Sequence, residues 1–363
     1  MSAGNAISGK IKVFIADDSA FMRTALGRMI DSDPTMMVCG SAQSGQEALD
    51  KIGKLQPDVV TLDVEMPGLN GLETLKRIMR DSPRPVIMVS SLTQEGAETT
   101  LEALELGAFD YLPKQSSFVS LDIVKIRDDL IAKVKAAAES GKRRKMMPKV
   151  APGAAKTAVP AKTAHHVPAT MVALGTSTGG PKALQEILPM LPGDLAVPVV
   201  IVQHMPKGFT GPFARRLDTL CKVTVREAEQ NDQLEAGTVY IAPAGQHLTF
   251  ARRSANSKAT IRLGPLPENS LHMPSVDVMM LSAAETFKSL CMGVILTGMG
   301  ADGAKGMGAI QKEGGITVGQ DEASCTVYGM PRSAAEMGVV QRVVPLQQVP
   351  EQIMQITHYK RRA

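Results

Sequence analysis

Residues Val172–Ala183 read VALGTSTGGPKA: an apolar run, a turn of glycines and hydroxyls, then a proline suited to the first turn of a helix. A strand that turns through glycine straight into a helix is the building unit of a mainly parallel α/β sheet. Glycine-rich turns of this kind usually cradle phosphates on backbone N–H groups. This one fits neither phosphate pattern. Pro181 stands where a Walker-type loop needs its lysine, and Ser177 stands at the second glycine of the dinucleotide fingerprint. The run does match G-x-S-x-G, as Gly175-Thr176-Ser177-Thr178-Gly179, the elbow that exposes a serine above a sheet. So short a pattern leaves a binding loop and a nucleophile both open.

A nucleophilic serine needs a base, and the chain has six histidines. His165 and His166 lie in an Ala/Pro/Lys-rich segment, and His358 lies in the charged tail THYKRRA. His247 follows the strand-like TVYIAP as a loop residue, and His272 falls in ENSLHMPSVD, which reads as a surface loop. His204 directly ends the apolar run VPVVIVQ, the same kind of position as Ser177. The run CMGVILTGMGADGAKGM is again strand, glycine-rich turn and helix, with Asp302 in the turn. Ser177, His204 and Asp302 are thus the expected nucleophile, base and orienting carboxylate, since triads are recognised by geometry and not by chain order. Each also has a plainer reading: an anion-binding loop, a structural histidine, a tight turn.

Working back toward the N-terminus, the segment 141–168 carries seven Lys or Arg and no acid, against a net charge of +4 for the whole chain. Its Ala/Pro/Lys composition predicts a solvated, semi-extended linker. The excess charge therefore sits in a linker, and the second half has no compact helix-turn-helix signal, so a nucleic-acid partner is not expected. Before the linker, strand-like runs IKVFIA, MMVCGS, DVVTLD, PVIMVS and FDYL alternate with amphipathic segments from Lys10 to Ala138. That alternation predicts a five-stranded, doubly wound parallel sheet with functional groups at the carboxyl ends of its strands. Asp17 and Asp18 follow the first strand, Asp63 ends the third, Ser90 ends the fourth and Lys114 follows the fifth. Carboxylates converging on one rim repel unless a cation neutralises them, and Mg²⁺ prefers such all-oxygen ligation. A carboxylate beside Mg²⁺ can attack a phosphoryl donor, with a lysine and a hydroxyl holding the new phosphate oxygens.

The expected organisation is a regulatory domain at 10–138, a linker at 139–168 and a catalytic α/β domain at 169–360. No apolar run is long enough for a membrane span, and the N-terminus lacks the apolar core of a secretory signal. The four cysteines are scattered without metal-ligand spacing, so reduced core thiols in a cytoplasmic protein are expected.

The first domain resembles the receiver domain of bacterial two-component response regulators. The resemblance implies a histidine kinase as phosphodonor, phosphorylation at Asp63, and Mg²⁺ held by Asp17, Asp18, Asp63 and the Glu65 backbone carbonyl. It makes Ser90 the switch hydroxyl and Lys114 the phosphate-pairing lysine. The chain departs from the usual receiver Lys-Pro, reading Pro113-Lys114-Gln115. The runs GTSTGG, QHMPKGFTGPFARRL, YIAPAGQHL, MPSVDVMM, VILTGMGADGAKG and EASCTVYGMPRSA resemble the catalytic domain of the chemotaxis protein-glutamate methylesterase family, across residues 170 to about 350. That resemblance implies hydrolysis of glutamate methyl esters on methyl-accepting chemoreceptors, with methanol released, and deamidation of receptor glutamines. It puts the Met299 and Thr178 backbone N–H groups at the oxyanion and requires no cofactor in the catalytic domain. The rival readings are an output domain that only binds a nucleotide or peptide, and a DNA-binding regulator.

Overall fold

The computed structural model describes residues 9–91, 93–114, 120–146, 167–252, 254, 257–268 and 270–359. The chain divides into two compact units, Met1–Gly153 and Ala154–Ala363.

The first unit alternates strand and helix throughout: β1 (Ile11–Ala16), α1 (Ala20–Asp31), β2 (Met36–Ala42), α2 (Gly45–Leu55), β3 (Val59–Asp63), α3 (Gly71–Asp81), β4 (Val86–Ser91), α4 (Gln94–Glu105), β5 (Asp110–Lys114) and α5 (Ser120–Met146). The sheet order is β2-β1-β3-β4-β5 and every pairing is parallel. Val13, Phe14, Ile15, Val59, Val60, Leu62 and Val86–Met88 are buried, the near-continuous apolar pattern of strands covered on both faces. Side chains of Ser19, Ser44, Asn70 and Thr93 accept from backbone N–H groups at the starts of α1, α2, α3 and α4. Those caps start each helix directly after a strand-end loop. One expected boundary moves. Residues 139–146, read as the start of the linker, continue α5 to Met146. Lys, Arg and Met are good helix formers, and basic side chains near a helix C-terminus suit its dipole. Residues 147–166 of the expected linker, with His165 and His166, lie outside the described residues, as does Gln115.

The second unit runs β6 (Met171–Thr176), α6 (Gly180–Ile187), β7 (Val199–Gln203), α7 (Thr210–Leu220), β8 (Thr224–Glu227), β9 (Thr238–Ile241), β10 (His247–Ala251), β11 (Thr260–Gly264), α8 (Val276–Phe287), β12 (Cys291–Ile295), α9 (Ala304–Lys312), β13 (Ile316–Gln320), α10 (Met330–Glu336), β14 (Arg342–Val344) and α11 (Val349–Ile356). Seven strands form one parallel sheet in the order β14-β13-β12-β6-β7-β9-β8, and β10 and β11 pair as a separate antiparallel hairpin. β6, β7 and β12 are fully buried, and α8, α9 and the hairpin pack over the sheet through Met279, Met280, Met307, Ile310, Leu248 and Phe250. The chain starts this sheet at β6 and winds outward in both directions, so the crevice beside β6 is its topological switch point. Among the described residues no helix is long and apolar enough to cross a membrane.

Candidate hydrolase and phosphorylation sites

The switch point places the expected catalytic residues. β7 flanks β6 on one side and β12 on the other, with Thr176 opposite Gln203 and Gly175 opposite Ile295. The next residues along are Ser177 and His204, so the register sets them side by side. The His204 N–H donates to the Thr176 carbonyl (3.2 Å), and the Ser177 N–H donates to the Thr297 carbonyl beyond β12 (3.0 Å). Gln203, buried between them, donates from Nε2 to the carbonyls of both Ser177 (2.9 Å) and His204 (3.1 Å).

Two glycines make this turn possible. Gly179 has φ +77°, and a Cβ there would lie 2.5 Å from Thr326, so only glycine fits both the backbone and the space. Gly298 faces the serine itself: a Cβ would lie 2.9 Å from the Ser177 Cβ and collide with the Met330 sulfur.

Asp302 follows β12 and reaches back across the crevice. Its Oδ2 accepts from His204 Nε2 (2.8 Å) and from the Val276 N–H (2.8 Å). Its Oδ1 accepts from the Ser275 hydroxyl (2.8 Å) and the Asp277 N–H (2.9 Å). The carboxylate thus sits on the N-terminus of α8, where unpaired N–H groups and the helix dipole favour negative charge. Burial pushes the Asp302 pKa up, but the His204 bond and charge and the two backbone donors outweigh it and hold the pKa well below the usual carboxylate range. Asp277 returns the arrangement, its Oδ1 accepting from the Gly303 (2.9 Å) and Gly306 (2.8 Å) N–H groups at the start of α9. Ser275 and Asp277 were not singled out from the sequence. The signal was there in MPSVDVMM, a serine followed by an acid before an apolar helix.

Two other histidines lie close to this site. His247 is not a loop residue: it opens β10 and is buried. Its Nδ1 accepts from the Ser275 N–H (3.2 Å) and its Nε2 donates to the Pro267 carbonyl (3.2 Å), so both nitrogens are committed. Neither nitrogen is left to take a proton from a serine. His272, expected in a surface loop, stacks on His204 with ring centroids 3.9 Å apart and planes 18° apart. His204 Nδ1 is buried and has no hydrogen-bond partner.

The expected oxyanion donors lie on two adjoining loops. Gly298 accepts at its carbonyl from the Gly329 (3.0 Å) and Met330 (2.9 Å) N–H groups, and the Thr297 hydroxyl donates to the Thr178 carbonyl (2.9 Å). The Thr297 bond holds the 297–300 loop, with Met299, against the Ser177 turn, and the two Gly298 bonds tie the same loop to the start of α10.

In the first unit, Asp17, Asp18 and Asp63 offer carboxylate oxygens that all lie within 4.8 Å of one another. Lys114 Nζ donates to Asp63 Oδ2 (2.7 Å) and lies 3.4 Å from Asp17 Oδ2, which is buried and without a hydrogen bond. Burial, together with the Asp17 charge, raises the Asp63 pKa to about 6 against the pull of Lys114. An orphaned buried carboxylate oxygen within an all-carboxylate set fits a hard divalent cation. Two further expected participants already bond at this rim. Ser90, though buried at the rim, donates its hydroxyl to the Gly96 carbonyl (3.1 Å), and Glu65 meets Asp63 through its N–H, which donates to Oδ1 (3.2 Å).

These rims define a class of protein: a doubly wound α/β unit with three carboxylates and a lysine at its strand ends, followed by an α/β unit with a Ser, His and Asp at its switch point. The response regulator receiver domain family matches residues 13–123, and the CheB methylesterase family matches residues 172–353. The chain is 46% identical over 351 residues to a protein-glutamate methylesterase/protein-glutamine glutaminase of Pyrococcus horikoshii, covering 95% of this chain and 93% of the relative. It is 45% identical over 365 residues to a protein of that name, numbered 1, from Oleidesulfovibrio alaskensis, covering 95% and 98%. The crystal structure of the Thermotoga maritima CheB methylesterase catalytic domain aligns with TM-score 0.50 at 40% identity, over 52% of this chain and all of that one. The chain belongs to the CheB methylesterase family and carries a receiver domain in front of the methylesterase domain.

Proposed function

We propose that the second unit hydrolyses γ-methyl esters of glutamates on methyl-accepting chemoreceptors and deamidates receptor glutamines, using Ser177, His204 and Asp302. One observation carries the assignment: His204 Nε2 is bound to Asp302 Oδ2 at 2.8 Å while Nδ1, the other ring nitrogen, has no partner. The ionised carboxylate only accepts, so Nε2 carries the proton and the lone pair lies on Nδ1. Nδ1 is then the basic atom, and the two ring nitrogens exchange the roles they have in the serine-protease template.

The chemistry follows from the groups. Ser177 Oγ attacks the γ-carbonyl carbon as Nδ1 takes its proton, and the imidazolium is stabilised by Asp302. The oxyanion meets the Met299 N–H, with Thr178 N–H as second donor. Collapse breaks the carbon–oxygen bond, and the imidazolium returns its proton to the leaving methoxide, giving methanol. Water, deprotonated by Nδ1, then releases the glutamate carboxylate and restores Ser177. With a glutamine substrate ammonia leaves in place of methanol, at the same carbonyl, so one site serves both reactions.

In the first unit Asp63 is the phosphorylated carboxylate, with a histidine kinase as donor. Asp17, Asp18 and Asp63 are the side chains that hold Mg²⁺, which when bound offsets charge on the phosphoryl oxygens. Lys114, already on Asp63, pairs with the new phosphate. Ser90 leaves the Gly96 carbonyl to donate to it, a rearrangement at the start of α4 that supplies the switch. The protein works in the cytoplasm, where receptor cytoplasmic helices are its substrate. Methanol release from methyl-labelled receptor membranes tests the activity. Release that is equal with and without this protein would remove the reading.

A further inference from the structure

We infer that His272 is a positioning residue for the catalytic base: its ring holds the plane of the His204 imidazole, so that Nδ1 stays on the Ser177 side. The inference rests on the proposed roles of Ser177, His204 and Asp302. The bond from Nε2 to Asp302 Oδ2 fixes one edge of the His204 ring. A single edge contact leaves the ring free to rock about that bond and about Cβ–Cγ, and Nδ1 has no hydrogen bond to stop it. A flat group against the face does stop it. His272 lies at 3.9 Å between centroids and 18° between planes, close enough that tilting His204 drives one ring into the other.

The platform is itself anchored to the same site. Within the short run His272–Ser275, the Met273 carbonyl accepts from the Gly245 N–H (2.9 Å). The Ser275 N–H donates to the buried His247 (3.2 Å), and the Ser275 hydroxyl donates to Asp302 Oδ1 (2.8 Å). One loop therefore touches the base through a ring face and the base's carboxylate through a hydroxyl. Base and carboxylate are positioned from a common support, which is how a hydrolytic site keeps its geometry through a proton transfer.

The test uses the full-length protein with His272→Ala and His272→Phe, each checked for an unchanged thermal transition. Phenylalanine keeps a flat ring but removes both nitrogens. Methanol release from methyl-labelled receptor membranes should show kcat reduced about tenfold or more in the alanine variant with KM within about twofold, because substrate contacts are untouched. The phenylalanine variant should recover to within about threefold of the parent. Selective histidine NMR in a Ser177→Ala background should show the His204 ring protons moving downfield when His272 becomes alanine, whether or not the protein is an esterase. An alanine variant with parental kcat, a phenylalanine variant as impaired as alanine, or unmoved His204 ring protons would each overturn the inference. Parental protein that releases no methanol while the His204 signals still shift would instead overturn the proposed function and leave the stacking intact.

Discussion

Replacing Asp302 by asparagine removes no atoms from the site, yet the structure leaves the amide no satisfactory orientation. Each carboxylate oxygen accepts two hydrogen bonds: His204 Nε2 and the Val276 N–H at one, the Ser275 hydroxyl and the Asp277 N–H at the other. An asparagine NH₂ must take one of these places and there opposes a backbone N–H, donor against donor. Turned toward His204, it also demands a lone pair at Nε2. The ring proton then moves to Nδ1 and the base is lost, a change worth about 10⁴ in kcat in the serine-protease case. Turned away, it keeps the tautomer but removes the charge that stabilises the imidazolium. The expected loss of kcat is therefore about 10²- to 10⁴-fold, still less than for Ser177→Ala. An orphaned buried N–H costs about 1–3 kcal/mol, and the second unit should melt lower by roughly 2–4 °C per kcal/mol. The assay is methanol release alongside a thermal melt. An Asp302→Asn enzyme within tenfold of the parent, with an unchanged melt, would refute the argument that this carboxylate sets the His204 proton.

Further outcomes follow from the same geometry. The depressed Asp302 pKa means its ionised form stabilises the fold above the ordinary aspartate range, and that contribution is lost as pH falls through the folded value. Stability of the second unit should therefore fall less steeply below about pH 4 in Asp302→Asn than in the parent, and parallel acid titrations would contradict this. Asp63 has the opposite sign: a folded pKa raised to about 6 destabilises the metal-free first unit increasingly as pH rises from the ordinary value toward 6, and fully above it. Asp63→Asn should accordingly stabilise the metal-free first unit at pH 7–8, read as a higher melting temperature, by less than the roughly 3 kcal/mol that the shift represents because Lys114 loses its nearer carboxylate. Gly298→Ala should cut kcat at least tenfold, since its Cβ meets Ser177 and Met330; an active variant with parental stability would show that the loops yield. A small phosphodonor with Mg²⁺ should raise methanol release by the full-length protein, and Asp63→Ala should not respond. Equal rates with and without donor would separate Asp63 from control of the hydrolase.

What could be read in the chain follows the range of the interactions. Apolar runs such as VPVVIVQ and strand-to-helix turns such as GTSTGG are local, and they locate β7, β6 and the rim residues Ser177 and His204 without reference to any long-range contact. The order of strands is not local. Asp302 meets His204 across 98 residues because β12 and β7 flank β6, and no periodicity encodes that adjacency. His272 reads as polar loop because the ring face it stacks on belongs to His204, 68 positions earlier in the chain on another loop. His247 reads as loop because a short antiparallel strand after YIAPAGQ carries too few residues to show alternation. Helix α5 runs past Ala138 because basic residues that suit a linker suit a helix end equally. In the first unit the strand ends gave Asp63 and Lys114, but the direction of the Ser90 hydroxyl depends on α4 and is settled only by packing.

The claim on which the account rests is that Ser177 attacks the glutamyl γ-carbonyl with His204 as its base. The most direct measurement is methanol release from methyl-labelled receptor membranes by the parent and by Ser177→Ala, the variant being shown to melt with the parent. Ser177 offers only a turn hydroxyl to the fold, so the melt should be unchanged while the rate falls by about 10⁴-fold or more. A Ser177→Ala protein that still releases methanol within tenfold of the parental rate would contradict the account.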